Sequence, residues 1–292
     1  MIRAIWRELR PSQWTKNLIV LAGVAFSHQL DRPAQLRSAV AATLLFCLLS
    51  SAGYVLNDIQ DRERDRVHPR KQNRPIASGR LPVSLGIFLA ILLAAGSLTG
   101  AFALGTALGR VATAYLLISL LYSLVLKRVV LLDVITIALL FVLRAVAGVA
   151  ALRPTPELSP WLLVCTFFLA LFIAVGKRRH ERLTLSEAAA RHRATLTEYS
   201  PQLLDQLVPV VTGSTILSYA IYTISPATTE HAPPAHLVLT IPFVTYGVFR
   251  YLYLVYHRGS GGAPSELLLR DVPLLVDVAL WGATVVGLLY LR

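Results

Sequence analysis

The stretch AVAATLLFCLLSSAGYVLNDIQDRERD, residues 39–65, joins a long apolar run to a dense group of acids and bases. The apolar part has the character of a membrane-spanning helix, which needs about 20 mainly apolar residues. Charged side chains appear as soon as the run ends, where such a helix would leave the bilayer. The stretch therefore predicts a membrane helix with a charged segment at its mouth.

The rest of the chain repeats the apolar pattern. Hydrophobic residues make up 55% of the 292 positions, charged residues only 15%, and the mean hydropathy is +0.61. This composition is typical of a polytopic membrane protein. We therefore predict one all-α domain over residues 1–292, with its N-terminus in the cytoplasm and nine transmembrane helices. These are placed near residues 17–30, 35–56, 82–104, 106–126, 130–151, 159–176, 206–226, 236–256 and 272–291.

The net charge of +12 would suggest a nucleic-acid partner in a soluble protein. Here 21 of the 28 Lys and Arg residues fall on the side that carries the N-terminus and the loops after the even-numbered helices. By the positive-inside rule that side is cytoplasmic. We accordingly expect a multi-pass protein of the inner (plasma) membrane, with no nucleic-acid partner.

The acids after the second predicted span are spaced for a common face. Asn57, Asp61 and Asp65 are four residues apart, so on a continuing helix they fall within about 80° of one another, and Asp58 borders that face. Magnesium is held by one or two carboxylates while substrate phosphates and water complete its shell. The spacing suits a Mg²⁺-bound diphosphate, and the alternative is a solvated helix end with Asp–Arg pairs.

Basic residues follow the acids directly. His68, Lys71 and Arg74 lie in a segment that two prolines make a loop, which could fold over an anion. Four lysines occur in the whole chain, one at each of four successive cytoplasmic edges: Lys16, Lys71, Lys127 and Lys177. They could surround one anionic pocket, or simply follow from the positive-inside rule.

Two further segments carry charge at predicted helix ends. In LYSLVLKRVVLLDV, residues 121–134, Tyr122 and Lys127 flank a short cytoplasmic turn, where anchoring at the membrane surface is the simpler explanation for the lysine. Arg144 lies inside an apolar helix, where a charge costs at least about 2.5 kcal/mol, so it should face a cavity or a partner. GKRRHERL, residues 176–183, is mainly basic and suits phosphate oxygens.

Together these segments resemble a known family. RPSQWTKN (residues 10–17), NDIQDRERDRVHPRKQNRPIASG (57–79), YSLVLKRVVLLDV leading into LRAVAG, and GKRRHERL occur in an order similar to that of the UbiA superfamily of intramembrane prenyltransferases. Ordinary members carry a second aspartate-rich motif after the sixth helix; that place holds GKRRHE here, with Glu181 as its sole acid. That difference makes the chain most similar to the branch that transfers phosphoribose to decaprenyl phosphate.

The resemblance implies a UbiA-like bundle whose site faces the cytoplasm. It also implies Mg²⁺-dependent transfer of 5-phosphoribose from phosphoribosyl pyrophosphate to a polyprenyl phosphate, with release of pyrophosphate, for arabinan cell-wall precursors. The expected metal ligands are Asn57, Asp61 and Asp65, and the expected catalytic residues are Asp58, Asp61 and Asp65. Substrate-binding roles are expected for Lys16, Tyr54, His68, Lys71, Arg74, Tyr122, Lys127, Arg144, Lys177, Arg178 and Glu181.

Two other functions stay open at this point. An ordinary prenyltransferase would take a prenyl diphosphate as donor, and the missing second aspartate-rich motif argues against it. A transporter or binding scaffold for lipid phosphates would also place charges within the membrane. Acceptor chain length and oligomeric state, a homo-oligomer included, are open as well.

Overall fold

Residues 1–67, 71–157, 159–185, 195–225, 237–257, 267 and 270–290 are described by the computed structural model of the chain. All regular elements in these ranges are helical, which confirms the predicted all-α class. The α-helices are α1 Ile2–Leu9, α2 Ala22–Phe26, α3 Pro33–Gln60, α4 Arg62–Arg66, α5 Val83–Leu104, α6 Thr106–Leu124, α7 Leu132–Ala150, α8 Pro160–Leu185, α9 Thr195–Glu198, α10 Pro201–Ile224, α11 Ile241–His257 and α12 Val272–Tyr290. The 3₁₀ helices are Pro11–Leu21, Leu126–Arg128 and Val238–Thr240.

Eight helices in the described ranges are long and apolar enough to cross a bilayer. They are α3, α5, α6, α7, α8, α10, α11 and α12, and they coincide with eight of the nine predicted spans. The protein is therefore a membrane-embedded, multi-pass protein. The other predicted span, residues 17–30, is built differently: the 3₁₀ helix Pro11–Leu21 runs into the short helix α2. The count of nine and the orientation of the N-terminus stay predictions.

The chain divides into two compact units. The first unit contains residues 1–127 and 143–156, and the second unit contains residues 128–142 and 157–292. In the first unit, α3 packs against α1, α5, α6 and the 3₁₀ helix Pro11–Leu21. Within the most apolar window of α3, 61% of the residues are buried, against 17% for α5, so α3 is the central helix of this unit and α5 is largely exposed.

The length of α3 places its acidic end beyond the apolar layer. At 1.5 Å per residue its 28 residues extend about 42 Å, whereas a bilayer core is about 30 Å thick. The helix ends at Gln60, and Asp61 joins it to the separate helix α4 with a φ of −89° and a ψ of 4°. The predicted continuous helix over Asn57, Asp61 and Asp65 is thus interrupted at Asp61.

The second unit is built around α8, which packs against α10, while α11 packs against α12. Its apolar core includes Phe172, Leu204 and Tyr251. Side chains satisfy free amides at two helix starts: Ser200 Oγ accepts from the Leu203 N–H before α10, and Asp271 Oδ1 accepts from the Leu274 N–H before α12.

Candidate active site

The acidic end of α3 holds an ammonium group between oxygen atoms. Lys127 reaches Asn57 and Asp61 from the 3₁₀ turn Leu126–Arg128. The Lys127 Nζ lies 3.0 Å from Asn57 Oδ1, and 2.9 and 3.0 Å from the two carboxylate oxygens of Asp61. Three hard oxygen atoms of the first unit therefore converge on one cationic point.

This donor set fits a magnesium ion that shares its shell with a ligand. Carboxylate and amide oxygens are preferred by Mg²⁺, which usually keeps water and substrate phosphate among its ligands. The Lys127 ammonium stands where such an ion would be attracted. In the part of the chain that the structure describes, no group of three or more His, Cys, Asp and Glu side chains is placed to hold an ion by itself. Asn57 and Asp61 would thus contribute only part of the shell.

Asp58 is the centre of a second, buried ion-pair group. Its side chain accepts from Arg10 Nη2 at 2.6 and 2.5 Å and from Arg74 Nη1 at 2.9 Å. The Arg10 guanidinium also lies 5.3 Å from the centre of the Tyr54 ring. Because a buried carboxylate needs cationic or hydrogen-bonding partners, this arrangement holds both arginines in fixed positions.

Asp65 turns toward the same arginine rather than toward Lys127. Its carboxylate accepts from Arg74 Nη1 at 2.5 Å and lies 4.0 Å from Lys71 Nζ. Burial raises the pKa of the Asp65 carboxyl, and the charges of Arg74 and Lys71 oppose that rise. The break in the helix at Asp61 explains the difference from the predicted single face, since Asp65 belongs to α4.

A cavity of about 500 Å³ opens beside Asp58 in the first unit. Its lining includes four arginines and one further acid, which are Arg3, Arg7, Arg10, Arg74 and Glu8. The ring of Trp6 and the polar side chains of Ser12 and Asn73 also line the cavity. The four arginines outnumber Asp58 and Glu8, so the cavity has a net positive charge, which suits an anion with several charged oxygens.

Arg144 is buried in the first unit, as predicted for a charge inside an apolar helix. Its Nε donates to Asn17 Oδ1 at 2.7 Å, and its Nη2 donates to the Tyr115 hydroxyl at 2.6 Å. The guanidinium also lies 4.7 Å from the centre of the Tyr115 ring. Asn17 in turn donates to Ser50 Oγ at 3.2 Å, so Arg144 belongs to a polar network within the helices.

The basic end of α8 is organised by a buried carboxylate of the second unit. Arg178 Nε donates to Asp133 Oδ2 at 2.9 Å, and Arg178 Nη1 donates to Glu181 Oε2 at 2.5 Å. Lys177 Nζ lies 3.6 Å from Glu181 Oε1. Lys177 is the exposed member of this group, whereas Arg178 is almost fully buried.

The remaining predicted site residues are less completely defined. Lys16 and Tyr54 are half-buried in the first unit, and Tyr122 is half-buried near the end of α6. His68 lies outside the described residues. The roles of all the predicted site residues stay predictions.

Several residues of these groups were not among the predicted site residues. Arg10 and Asn17 belong to the segment RPSQWTKN, whose polar side chains at a membrane interface were an available signal. Glu8 had no comparable signal, and neither did Tyr199, whose hydroxyl donates to Asp133 Oδ1, because an acid in a short amphipathic helix and a tyrosine in a polar loop are common. Their burial is visible only in the fold.

Comparison with known proteins agrees with this architecture. Residues 17–265 match the family model described as the UbiA prenyltransferase family. The chain is 35% identical to the decaprenyl-phosphate phosphoribosyltransferase of Corynebacterium glutamicum, over 98% of this chain and 86% of that protein. It is 32% identical to the protein of the same name from Mycolicibacterium smegmatis, over 99% of this chain and 93% of that protein.

The fold is also similar to that of a solved structure. A UbiA homolog from Archaeoglobus fulgidus, bound to DMAPP and Mg²⁺, superposes with a TM-score of 0.75 at 20% sequence identity, and the match covers 99% of each chain. At that identity the likeness concerns the fold alone. The family match over most of the chain and the near full-length relatives lead to one conclusion: this chain belongs to the UbiA prenyltransferase family.

Proposed function

We propose that the protein transfers 5-phosphoribose from phosphoribosyl pyrophosphate to decaprenyl phosphate or a related polyprenyl phosphate, with release of pyrophosphate. The observation that carries the proposal is the cavity beside Asp58, which has four arginines in its lining. A guanidinium fork can bind two phosphate oxygens at once, and this donor carries a pyrophosphate and a further 5-phosphate. The names of the relatives support the same reaction.

The acidic end of α3 is proposed to hold the metal. Asn57 and Asp61 would bind Mg²⁺ because their oxygens already converge on the cationic Lys127 Nζ. The ion would neutralise negative charge on the departing pyrophosphate. Asp65, which contacts Arg74 and Lys71, would then set the position of these two bases rather than meet the ion at the same point.

The cations of the first unit are proposed to bind donor phosphates. Arg10 and Arg74 are already oriented by Asp58, so little side-chain reorganisation is required when an anion arrives. The Lys127 ammonium would exchange its hydrogen bonds to Asp61 for a hydrogen bond to a phosphate oxygen. Such fixed donors lower the barrier because their orientation is established before the reaction.

The chemistry needs no general base. One bond from the anomeric carbon of ribose to a pyrophosphate oxygen breaks, and one bond from that carbon to a lipid phosphate oxygen forms. The attacking oxygen belongs to a phosphate that is ionised near neutral pH, so no proton has to be removed from it. Direct in-line attack inverts the anomeric carbon, and the leaving group departs as pyrophosphate bound by the cationic side chains.

The membrane supplies the acceptor. Its polyprenyl tail would lie along apolar helix faces that are exposed on the protein, such as those carrying Phe88 and Ile91 of α5. Only its phosphate would enter the site. The site would lie on the cytoplasmic side of the plasma membrane. The product would serve as a precursor of cell-wall arabinan.

The direct test combines purified protein in detergent, Mg²⁺, radiolabelled phosphoribosyl pyrophosphate and decaprenyl phosphate. We expect label in the lipid-soluble product and pyrophosphate in the aqueous phase. Transfer only from a prenyl diphosphate donor would instead support the prenyltransferase alternative. Lipid-phosphate binding without transfer from either donor would support a scaffold or transporter.

A variant pair tests the role of the acids. Asp61→Ala should abolish turnover while the protein remains folded, because it removes the carboxylate at the point where Asn57 and Lys127 meet. Glu63→Ala is the matched control, since Glu63 is exposed and pairs with Arg66 on the same short helix. Near-normal activity of Asp61→Ala would contradict the metal role.

A further inference from the structure

Tyr199 is the buried start of a hydrogen-bonded relay in the second unit. Its side chain is fully buried, and its hydroxyl donates to Asp133 Oδ1 at 2.6 Å. The Tyr199 hydroxyl oxygen in turn accepts from the Leu131 N–H at 2.9 Å. Leu131 has a φ of 66°, a left-handed conformation that a leucine rarely adopts, so this hydrogen bond helps to hold the turn before α7.

The relay continues from Asp133 to the basic end of α8. Asp133 uses one oxygen for Tyr199 and the other for Arg178 Nε. Glu181 likewise divides its oxygens, with Oε2 accepting from Arg178 and Oε1 lying 3.6 Å from Lys177 Nζ. Each carboxylate therefore links two neighbours through different oxygen atoms.

Exposure rises steadily along the relay. The exposed fraction of the side chain is 0% for Asp133, 3% for Arg178, 24% for Glu181 and 41% for Lys177. A buried guanidinium is held in place by its carboxylate partners, because moving it away would leave charges unpaired in an apolar interior. Tyr199 thus helps to position Asp133, Asp133 positions Arg178, and Arg178 positions Glu181, which contacts the Lys177 ammonium at the surface.

We propose that Tyr199 is a positioning residue for Lys177, which it holds in place through Asp133, Arg178 and Glu181. The inference rests on the proposed function and on the substrate-binding role that the sequence predicts for Lys177. Tyr199 acts at a distance from the substrate, and its loss should weaken donor binding without changing the chemical step.

The alternative is that Tyr199 only fills the core, and the chain contains a matched control. Tyr251 is also a buried tyrosine of the same apolar cluster. Its hydroxyl has no hydrogen-bond partner among the described residues. Tyr251→Phe therefore removes a hydroxyl without breaking a bond in this structure, whereas Tyr199→Phe breaks two.

The experiment measures KM for phosphoribosyl pyrophosphate, kcat and the melting temperature of the purified variants. Once Lys177 is no longer held in position, its hydrogen bond to a charged phosphate is lost, which should raise KM of Tyr199→Phe by about tenfold, with kcat within about twofold of wild type. Tyr251→Phe should match wild type. An unchanged KM in Tyr199→Phe, or a joint fall in kcat and melting temperature without a change in KM, would overturn the inference.

A double-mutant cycle identifies the residue through which Tyr199 acts. Lys177→Met should raise KM by itself, and adding Tyr199→Phe to it should raise KM by less than about twofold more. A full additional tenfold increase would show that Tyr199 does not act through Lys177 and would overturn the inference. Failure of the wild-type protein to transfer phosphoribose would instead overturn the proposed function on which it rests.

Discussion

Glu8 is a buried carboxyl group in the wall of the arginine-lined cavity. Only 1% of its surface is exposed, and it lies beside the carboxylate of Asp58. Burial, with a smaller contribution from the neighbouring Asp58 charge, raises the pKa of Glu8 to about 8. A proton on Glu8 removes the charge of this carboxylate. It therefore relieves both the cost of burying that charge and its repulsion by the charge of Asp58.

This raised pKa predicts a pH-dependent stability. The ordinary pKa of a glutamate is 4.5, so between pH 4.5 and about 8 the folded protein binds this proton more tightly than the unfolded chain. The stabilising contribution is complete below pH 4.5 and is lost as the pH rises through about 8. Glu8→Gln, which stays neutral, should melt higher than wild type at alkaline pH and similarly at acidic pH.

Thermal unfolding at a series of pH values in one detergent checks this prediction. Glu63→Gln is the control because Glu63 is exposed, and it should follow the wild-type profile. Parallel melting curves for wild type and Glu8→Gln across the alkaline range would contradict a protonated Glu8.

Arg74 gives a second prediction at the residue scale. Its Nη1 donates to both Asp58 and Asp65, and a lysine in its place would have no second nitrogen to offer a phosphate at the same time. Arg74→Lys should therefore raise KM for phosphoribosyl pyrophosphate by at least about tenfold, the effect of losing one hydrogen bond to a charged group. Steady-state kinetics checks this against Arg64→Lys, an exposed neighbour in α4. Equal KM values would contradict a role for the guanidinium geometry.

At the scale of elements, two backbones of the first unit approach each other closely. A Cβ atom on Gly148 of α7 would overlap the Val20 carbonyl oxygen, and one on Gly23 of α2 would overlap the Gly148 backbone. Small residues allow helices to pack this closely within membranes. The contact ties the segment that carries Asn17 to the helix that carries Arg144, and these two side chains are hydrogen-bonded.

Gly148→Ala should consequently destabilise the protein. Backbone atoms cannot move aside as a flexible side chain does, and overpacking typically costs about 1–3 kcal/mol. Gly282→Ala in α12 is the control, because an added Cβ there meets nothing within 4 Å. The comparison is made by thermal unfolding in detergent. A Gly148→Ala protein that melts like the control would show that the two backbones are not held so closely.

At the scale of the whole molecule, apolar composition and charge asymmetry describe how the chain is placed in a membrane. In the described ranges, eight helices are long and apolar enough to cross a bilayer. Large hydrophobic side chains such as Phe88, Leu117 and Leu217 are exposed on these helices. Positive charge concentrates at one set of predicted loops. The two properties are independent, because apolar length determines spanning and loop charge determines orientation.

Labelling of introduced cysteines tests that orientation. With Glu63→Cys and Thr155→Cys in separate variants, a thiol reagent that does not cross membranes should label only Thr155→Cys in intact cells. Glu63→Cys should react after the cells are opened. The native Cys47 and Cys165 are buried and half-buried, and the unsubstituted protein measures their background. The opposite labelling pattern would contradict a cytoplasmic acidic segment.

The sequence by itself determined the helical membrane class, most span positions and the segments that carry charge. Apolar length, loop charge and helical spacing are properties of short stretches, so no knowledge of distant contacts was needed. The same local reasoning identified Asp58, Asp61 and Asp65 as one acidic group, and it expected one face because it assumed an unbroken helix.

Only the tertiary structure decided how the charges pair. Lys127 meets Asp61 from 66 positions away, Arg144 meets Asn17 from 127 away, and Tyr199 meets Asp133 from 66 away. Such pairings depend on how helices pack, which spacing along the chain does not specify. The burial of Glu8 and the break at Asp61 likewise became visible only in the folded structure.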